Sequence, residues 1–276
     1  MSVQWFPGHM HRARKQIAEL MVKVDVVLEV LDARLPGYSD NPMLRELRGT
    51  KPCIKLLNKS DLADPAVILA WKEFFKREKG IVPLEISATN PKDVRKIIPM
   101  IPKMVPSRNF LAQPINCLIA GIPNVGKSTL MNTLIGRKVA RAANQAAITT
   151  KKKRVHLSDE ITLYDTPGVL WPKIENRTAS FMLAGSGAVR ETAMDNEEVA
   201  EFVGNYLLKE YSELLKVRYK LQVLPENGLQ LILAVGKARG CLVKGGDVDA
   251  TKAASILLGE LRSGQLGRIS LEKPPA

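Results

Sequence analysis

The run "GIPNVGKST" (Gly121–Thr129) places a heavy constraint on the fold. Gly121, Gly126, Lys127 and Ser128 match G-x-x-x-x-G-K-[ST]. The apolar stretch "INCLIAG" (115–121) before it reads as a buried strand, and 127–136 after it has helical character. Such a strand, loop and helix let successive backbone N–H groups converge on phosphate oxygens at a helix N-terminus that already favours anions. Lys127 is then the group that reaches the β- and γ-phosphates, and the Ser128 hydroxyl is a ligand for Mg²⁺. Asn124, Val125 and Thr129 line the same loop. A chain carrying this unit is expected to build a mostly parallel sheet with ligand loops at the carboxyl ends of its strands.

The companion motifs stand in an unusual order. "NKSD" (Asn58–Asp61) lies well before the phosphate loop. A carboxylate at Asp61 accepts two hydrogen bonds from guanine N1–H and its 2-amino group, a donor pair that adenine lacks. Asn58 braces that loop, and the stem of Lys59 covers the base. "ISA" (86–88) ends the next predicted strand, placing Ser87 beside the base and the Ala88 N–H toward guanine O6. "DTPG" (Asp165–Gly168) ends a later strand, with Asp165 positioned to hold a metal ion through water and the Gly168 N–H to meet the γ-phosphate. A Ras-like sheet normally runs cradle, switch, metal loop, base reader and Ser-Ala loop. This chain supplies the last two first, crosses a Pro-marked connector (Pro102, Pro106, Pro114) and then supplies the other three. Because termini of domains often lie close together, a circular permutation of this kind keeps the site in space.

Apolar, β-branched runs at 25–33, 53–61, 81–88, 115–121, 153–159 and 161–168 are read as strands, and 65–79 and 92–104 as helices. Beyond about residue 175 the strand signal gives way to helical spacing in "EEVAEFVGNYLLKEYSELLKVRY" and "TKAASILLGELRSG". The expected architecture is therefore a circularly permuted Ras-like α/β domain over 1–175, with a six-stranded, mostly parallel sheet, followed by a small all-helical domain over 176–276. The net charge of +13 favours a polyanionic partner. Arg137, Lys138, Arg141, Lys151, Lys152, Lys153 and Arg154 form a segment without acidic residues, the expected polyanion contact, in which Lys151, Lys152, Lys153 and Arg154 are the expected RNA-binding residues. No apolar run has the length of a membrane span or a signal peptide, and three scattered cysteines read as reduced core thiols, so a cytoplasmic chain is expected.

With these motifs in place, the chain resembles the circularly permuted bacterial ribosome-biogenesis GTPases of the YlqF/RbgA type. The resemblance runs end to end, through "WFPGHM" (Trp5–Met10), "DARLPGYSDNP" (32–42), "NKSD", "GIPNVGKST", "DTPG", "GCLVKGGDVD" and "SGQLGRISLE". It implies GTP as substrate, Mg²⁺ as cofactor, a helical RNA-binding domain, and a partner in the large (50S) ribosomal subunit and its rRNA during late assembly. It implies no membrane partner and a monomer away from the ribosome. One departure concerns the switch loop, where the family resembles "PGIT" and this chain has Ala146, Ala147, Ile148 and Thr149. Thr149 still offers its hydroxyl to Mg²⁺.

Val169 stands where Ras-like enzymes carry the glutamine that positions attacking water, so intrinsic hydrolysis is expected to be slow. The resemblance implies His9 as the replacement catalytic group; from the residues alone it is equally a helix-capping residue. In similar GTPases an asparagine at the position of Asn124 helps bind K⁺ near the phosphates, while a turn-forming asparagine is the alternative. Two rival functions stay open at this level: a nucleotide-gated binding switch with negligible turnover, and a K⁺-dependent GTPase acting on tRNA.

Overall fold

The structure, a computed structural model, describes residues 7–106, 113–136, 154–166, 168, 176–188 and 194–275, with side chains from residue 12 onward. Six strands form one sheet: β1 (Val26–Asp32), β2 (Cys53–Asn58), β3 (Ile81–Glu85), β4 (Ile115–Ala120), β5 (Arg154–Ser158) and β6 (Ile161–Asp165). Their spatial order is β3-β2-β1-β4-β6-β5. Every pairing is parallel except the β5–β6 hairpin at the edge. The central pair β1–β4 joins the two halves of the permuted chain, with Val26 opposite Cys117 and Glu29 opposite Ala120.

β1 and β2 are buried at every position, which is why they read as continuous apolar runs rather than as an alternation. One face of the sheet packs under α1 (Pro7–Met21), α3 (Pro42–Arg48) and α4 (Pro65–Lys76), through Ile17, Leu44, Ile68, Trp71 and Phe75. On the other face, Leu28, Leu56, Cys117 and Ile119 meet α5 (Pro91–Arg95) and α6 (Lys127–Ile135). That second core continues without a break into the C-terminal helices α7 (Arg177–Gly185), α8 (Asn196–Glu210), α9 (Ser212–Tyr219), α10 (Gly228–Arg239) and α11 (Ala250–Ser263). The short α2 (Pro36–Ser39) sits between β1 and α3. The three cysteines are all buried, and among the described residues no helix is long and apolar enough to cross a membrane.

Helix starts follow one local rule. Asn41, Asp64 and Asn90 each accept a hydrogen bond from the amide two residues on, and each precedes a proline whose missing N–H costs nothing in a first turn. Asn176, Asn227 and Asp249 cap α7, α10 and α11 by accepting from the amide three residues on, and Asp195 caps α8 through the amides of Glu197 and Glu198. The helix expected over 92–104 is instead α5 followed by two 3₁₀ turns, Ile98–Met100 and Pro102–Met104. Pro99 and Pro102 each remove a backbone donor and clash with the preceding turn, so the α-helix cannot continue.

Beneath α4, the sheet buries a cluster of charges. Lys55 and Glu29 are register partners on β2 and β1, and their side chains pair at 3.0 Å. The Lys55 ammonium also meets Asp40 at 2.9 Å and lies over the Phe75 ring. Asp40 in turn bonds Arg45, which fastens the α2–α3 loop to the sheet. Burial raises the Glu29 carboxyl above its ordinary value, and Lys55 opposes that rise. Removing the lysine leaves two buried carboxylates around one missing cation. Lys55→Met is expected to cost ~3–5 kcal/mol in chemical denaturation, and Lys55→Met with Glu29→Leu to recover most of it.

Candidate functional site

The carboxyl ends of β1, β2, β3, β4 and β6 lie along one edge of the sheet, where ligand loops gather in an open α/β fold. Asp32 and Asn58 end β1 and β2 in register, and Ile119 of β4 faces Asp165 of β6. From β4 the chain turns into the phosphate loop. Gly121 has φ of 151°, and a Cβ there would strike the Val30 carbonyl. Gly126 has φ of 99°, and a Cβ there would collide with the Asn58 amide nitrogen. Glycine is required at both positions for conformation and for space.

Gly126 is also the residue before α6, and it has no side chain to cap that helix. At seven other helices an Asn or Asp accepts from a first-turn amide; here, among the described residues, no side chain does, which leaves those amides for a ligand. Ser128 and Thr129 are exposed in this first turn, while Val125 is buried. Lys127 is buried, and its ammonium donates to the Ile122 carbonyl at 2.6 Å. Burial lowers its pKa to about 8 against the opposing pull of Asp165. Gly168 closes the loop from the other side, since a Cβ there would come within 2.8 Å of the Lys127 ammonium. A nitrogen-lined cradle with a desolvated cation at its centre fits a polyphosphate. Ser128 and Asp165 are chemically suited to Mg²⁺, a cation that takes one or two carboxylates and completes its shell with phosphate oxygens and water.

Asn58 joins three loops. Its carboxamide donates to the Val125 carbonyl of the phosphate loop at 2.6 Å and accepts from the Ala88 N–H at 2.8 Å. Thr133 of α6 adds a second tie, donating to the Ala88 carbonyl at 2.7 Å. The Ala88 amide, expected to meet guanine O6, thus has a partner within the protein, because Asn58 Oδ1 is the acceptor at that strand end. Ser87 is buried, with its hydroxyl 2.9 Å from that of Thr89. Asp61 is exposed at the tip of the turn.

Lys59 takes a left-handed φ of 61°, and its ammonium bonds Asp32 at 2.8 Å. Burial alone would raise the Asp32 carboxyl, but Arg34 and Lys59 together hold it well below the usual carboxylate range. Arg34 grips Asp32 with both Nε (2.9 Å) and Nη2 (2.8 Å), and Nη2 reaches the Ser186 carbonyl after α7. Asp32 and Arg34 were absent from the expected site; "DAR" carried the family resemblance without an assigned role.

The remaining expectations divide by position. Asn124 has φ of 58°, and its side chain donates to the Gly187 carbonyl beyond α7 at 2.8 Å. Arg154 begins the edge strand β5 and lies over the Tyr164 ring. The His9 backbone lies in the first turn of α1, while its side chain lies outside the described residues. Thr149, Lys151, Lys152, Lys153 and Val169 also lie outside them.

A family model described as a 50S ribosome-binding GTPase matches residues 116–221. The matched stretch begins in β4 and excludes Asn58–Asp61, which come earlier in this chain. The chain is 39% identical to a protein of Priestia megaterium named ribosome biogenesis GTPase A, covering 99% of this chain and 98% of that relative. It is 40% identical to the protein of the same name from Bacillus cereus, covering 99% and 95%. Among solved structures it is similar to GNP-bound YlqF from T. maritima, with a TM-score of 0.67, 27% identity, and coverage of 95% and 98%. The GDP-bound form of that protein gives a TM-score of 0.68.

The state of Lys127 has a measurable consequence. With its pKa at about 8 in the free cradle, it is largely neutral above that pH. A bound polyphosphate stabilises the charged form and raises that pKa, so binding takes up a proton once the pH exceeds about 8. Titration calorimetry of GDP in buffers of different ionisation enthalpy at pH 8.5 should show this uptake. Apparent affinity should fall as pH rises from 8 toward 10, and Lys127→Arg should lose the proton uptake.

Proposed function

The chain belongs to the ribosome biogenesis GTPase A family, and on that premise we propose how its residues read, hold and hydrolyse GTP. It is a GTP hydrolase acting in ribosome assembly. The observation that carries the site assignment is the Asn58 carboxamide, which ties the base-reading turn, the phosphate loop and the Ser87–Ala88 loop into one surface. Asp61 reads the N1–H and 2-amino edge of guanine. The Lys59 stem covers the base while Asp32 holds its ammonium.

The loop amides from Asn124 to Thr129 and the Lys127 ammonium hold the β- and γ-phosphates. Ser128, Thr149 and Asp165 hold Mg²⁺, which when bound neutralises charge on the phosphate oxygens. Gly168 meets the γ-phosphate through its N–H. Val169 cannot orient water, so His9 brings the attacking water into line. Asn124 as a K⁺ ligand is the second reading, with its side-chain carbonyl as the donor atom. The domain division at 175/176 separates this unit from a helical part that binds the large ribosomal subunit, with Lys151, Lys152, Lys153 and Arg154 adding contacts to rRNA. The protein works in the cytoplasm and is monomeric away from the particle.

GTP turnover by the protein alone, with free rRNA, with tRNA and with large subunits separates this reading from its rivals. Stimulation by subunits only supports the assembly factor; stimulation by tRNA points to a tRNA-directed GTPase, and none to a switch without turnover. Two variants check the residue roles. Asp61→Asn should lower GTP affinity at least about tenfold, the value of a charged hydrogen-bond partner. His9→Ala should keep GTP affinity but lose ~10²–10⁴-fold in subunit-stimulated turnover.

A further inference from the structure

The last part of the chain turns back from the helical region onto the base-reading turn. After α11 ends, residues 264–272 run across the sheet edge, with Leu266, Ile269, Ser270 and Leu271 almost wholly buried. Their polar contacts fall on a short stretch of the first half of the chain. The Arg268 guanidinium donates from Nη2 to the Ser60 carbonyl and from Nε to the Ala63 carbonyl, both at 2.8 Å. The Ile269 N–H donates to the Leu62 carbonyl at 2.9 Å. Leu62 packs against Gly264, where a Cβ would come within 2.6 Å of it. Further along, the Ser270 hydroxyl accepts from the Asp64 N–H at 3.2 Å, and the Leu271 N–H donates to the Arg34 carbonyl at 2.6 Å.

Ser60, Leu62 and Ala63 surround Asp61, the guanine reader. Within the turn only two hydrogen bonds hold it together, Leu62 N–H to the Lys59 carbonyl at 2.9 Å and Ala63 N–H to the Ser60 carbonyl at 3.4 Å. It also begins with Lys59 in a left-handed conformation that lysine disfavours. A turn with so little internal bonding relies on outside contacts for the direction of its side chains. The tail supplies three donors to carbonyls on both sides of Asp61, and two come from one planar guanidinium whose fork fixes their separation.

We propose that the C-terminal tail is part of the guanine-reading apparatus, with Arg268 as the positioning residue that aims the Asp61 carboxylate at the base. Arg268 touches no reacting atom; it acts through the backbone of the turn. The proposal rests on Asp61 as the base reader. By linkage, a nucleotide that needs the turn in this shape also strengthens the seating of the tail.

Binding of GDP and of inosine diphosphate, which lacks the 2-amino donor, tests the idea by calorimetry on the full chain. Wild type should prefer GDP by about tenfold or more. In Arg268→Ala that preference should fall by at least about threefold, GDP losing both of its bonds to Asp61 and inosine diphosphate, which keeps only N1–H, losing less. Arg268→Lys, which keeps a donor and the charge, should restore part of it. In wild type, GDP should also slow hydrogen exchange at the Ile269 and Leu271 amides. A variant that keeps the full GDP preference, or loses affinity for both nucleotides equally, overturns the proposal. So does tail exchange that ignores GDP. A wild type without GDP preference instead overturns the reading of Asp61 itself, and the proposal with it.

Discussion

The nucleotide site depends on one amide group that donates and accepts at once. Asn58 is buried at the end of β2, where an unmet hydrogen bond is expensive, and its two ends face two different loops. Aspartate has the same shape but lacks the donor to Val125, and leucine lacks both partners. The bond to the phosphate loop exists only because Gly126 has no side chain to block it. Since this junction is made across space, the site is indifferent to whether the chain visits the base reader before or after the phosphate loop. Permutation therefore changed the order of the motifs without changing their meeting point.

Two groups of buried charges do related work on either side of that junction. Glu29, Lys55 and Asp40 fasten the α2–α3 loop from below the sheet. Asp32, Arg34 and Lys59 sit at the sheet edge and reach the helical region through the Ser186 carbonyl. In each, the desolvation of one ion is offset by two partners of opposite charge, so the geometry is narrowly defined. The consequence for the site is a fixed direction for the Lys59 side chain, whose stem is the wall proposed for the base.

The strands were legible because a parallel sheet covered on both faces demands largely apolar runs, clearest in β1, β2 and β4, where Glu29 and Lys55 are the charged interruptions. The phosphate loop and the Asn58–Asp61 turn were legible because their signals are local: glycines at fixed spacing, and a short polar run at a strand end. What escaped was long-range. Nothing near Arg268 in sequence reveals that its guanidinium will meet Ser60, and "DAR" discloses no partner until β1 and β2 are side by side. The expected helix over 92–104 overlooked the two prolines inside it. Sequence spacing likewise does not reveal that the Ala88 amide meets the Asn58 carboxamide.

The central pairing of β1 with β4 has a bearing on how the protein is made. During translation, β1, β2 and β3 leave the exit tunnel together and can assemble with α3 and α4 over one face. β1 is then an outer strand, apolar but for Glu29 and Asp32, with its unpaired edge open until β4 is synthesised. An open apolar edge is a template for pairing with another chain. In a Ras-like chain of ordinary order the phosphate-loop strand emerges first and waits for its neighbours. Here it arrives late and closes the sheet from the middle, so the β1 edge has no partner strand until β4 has been made.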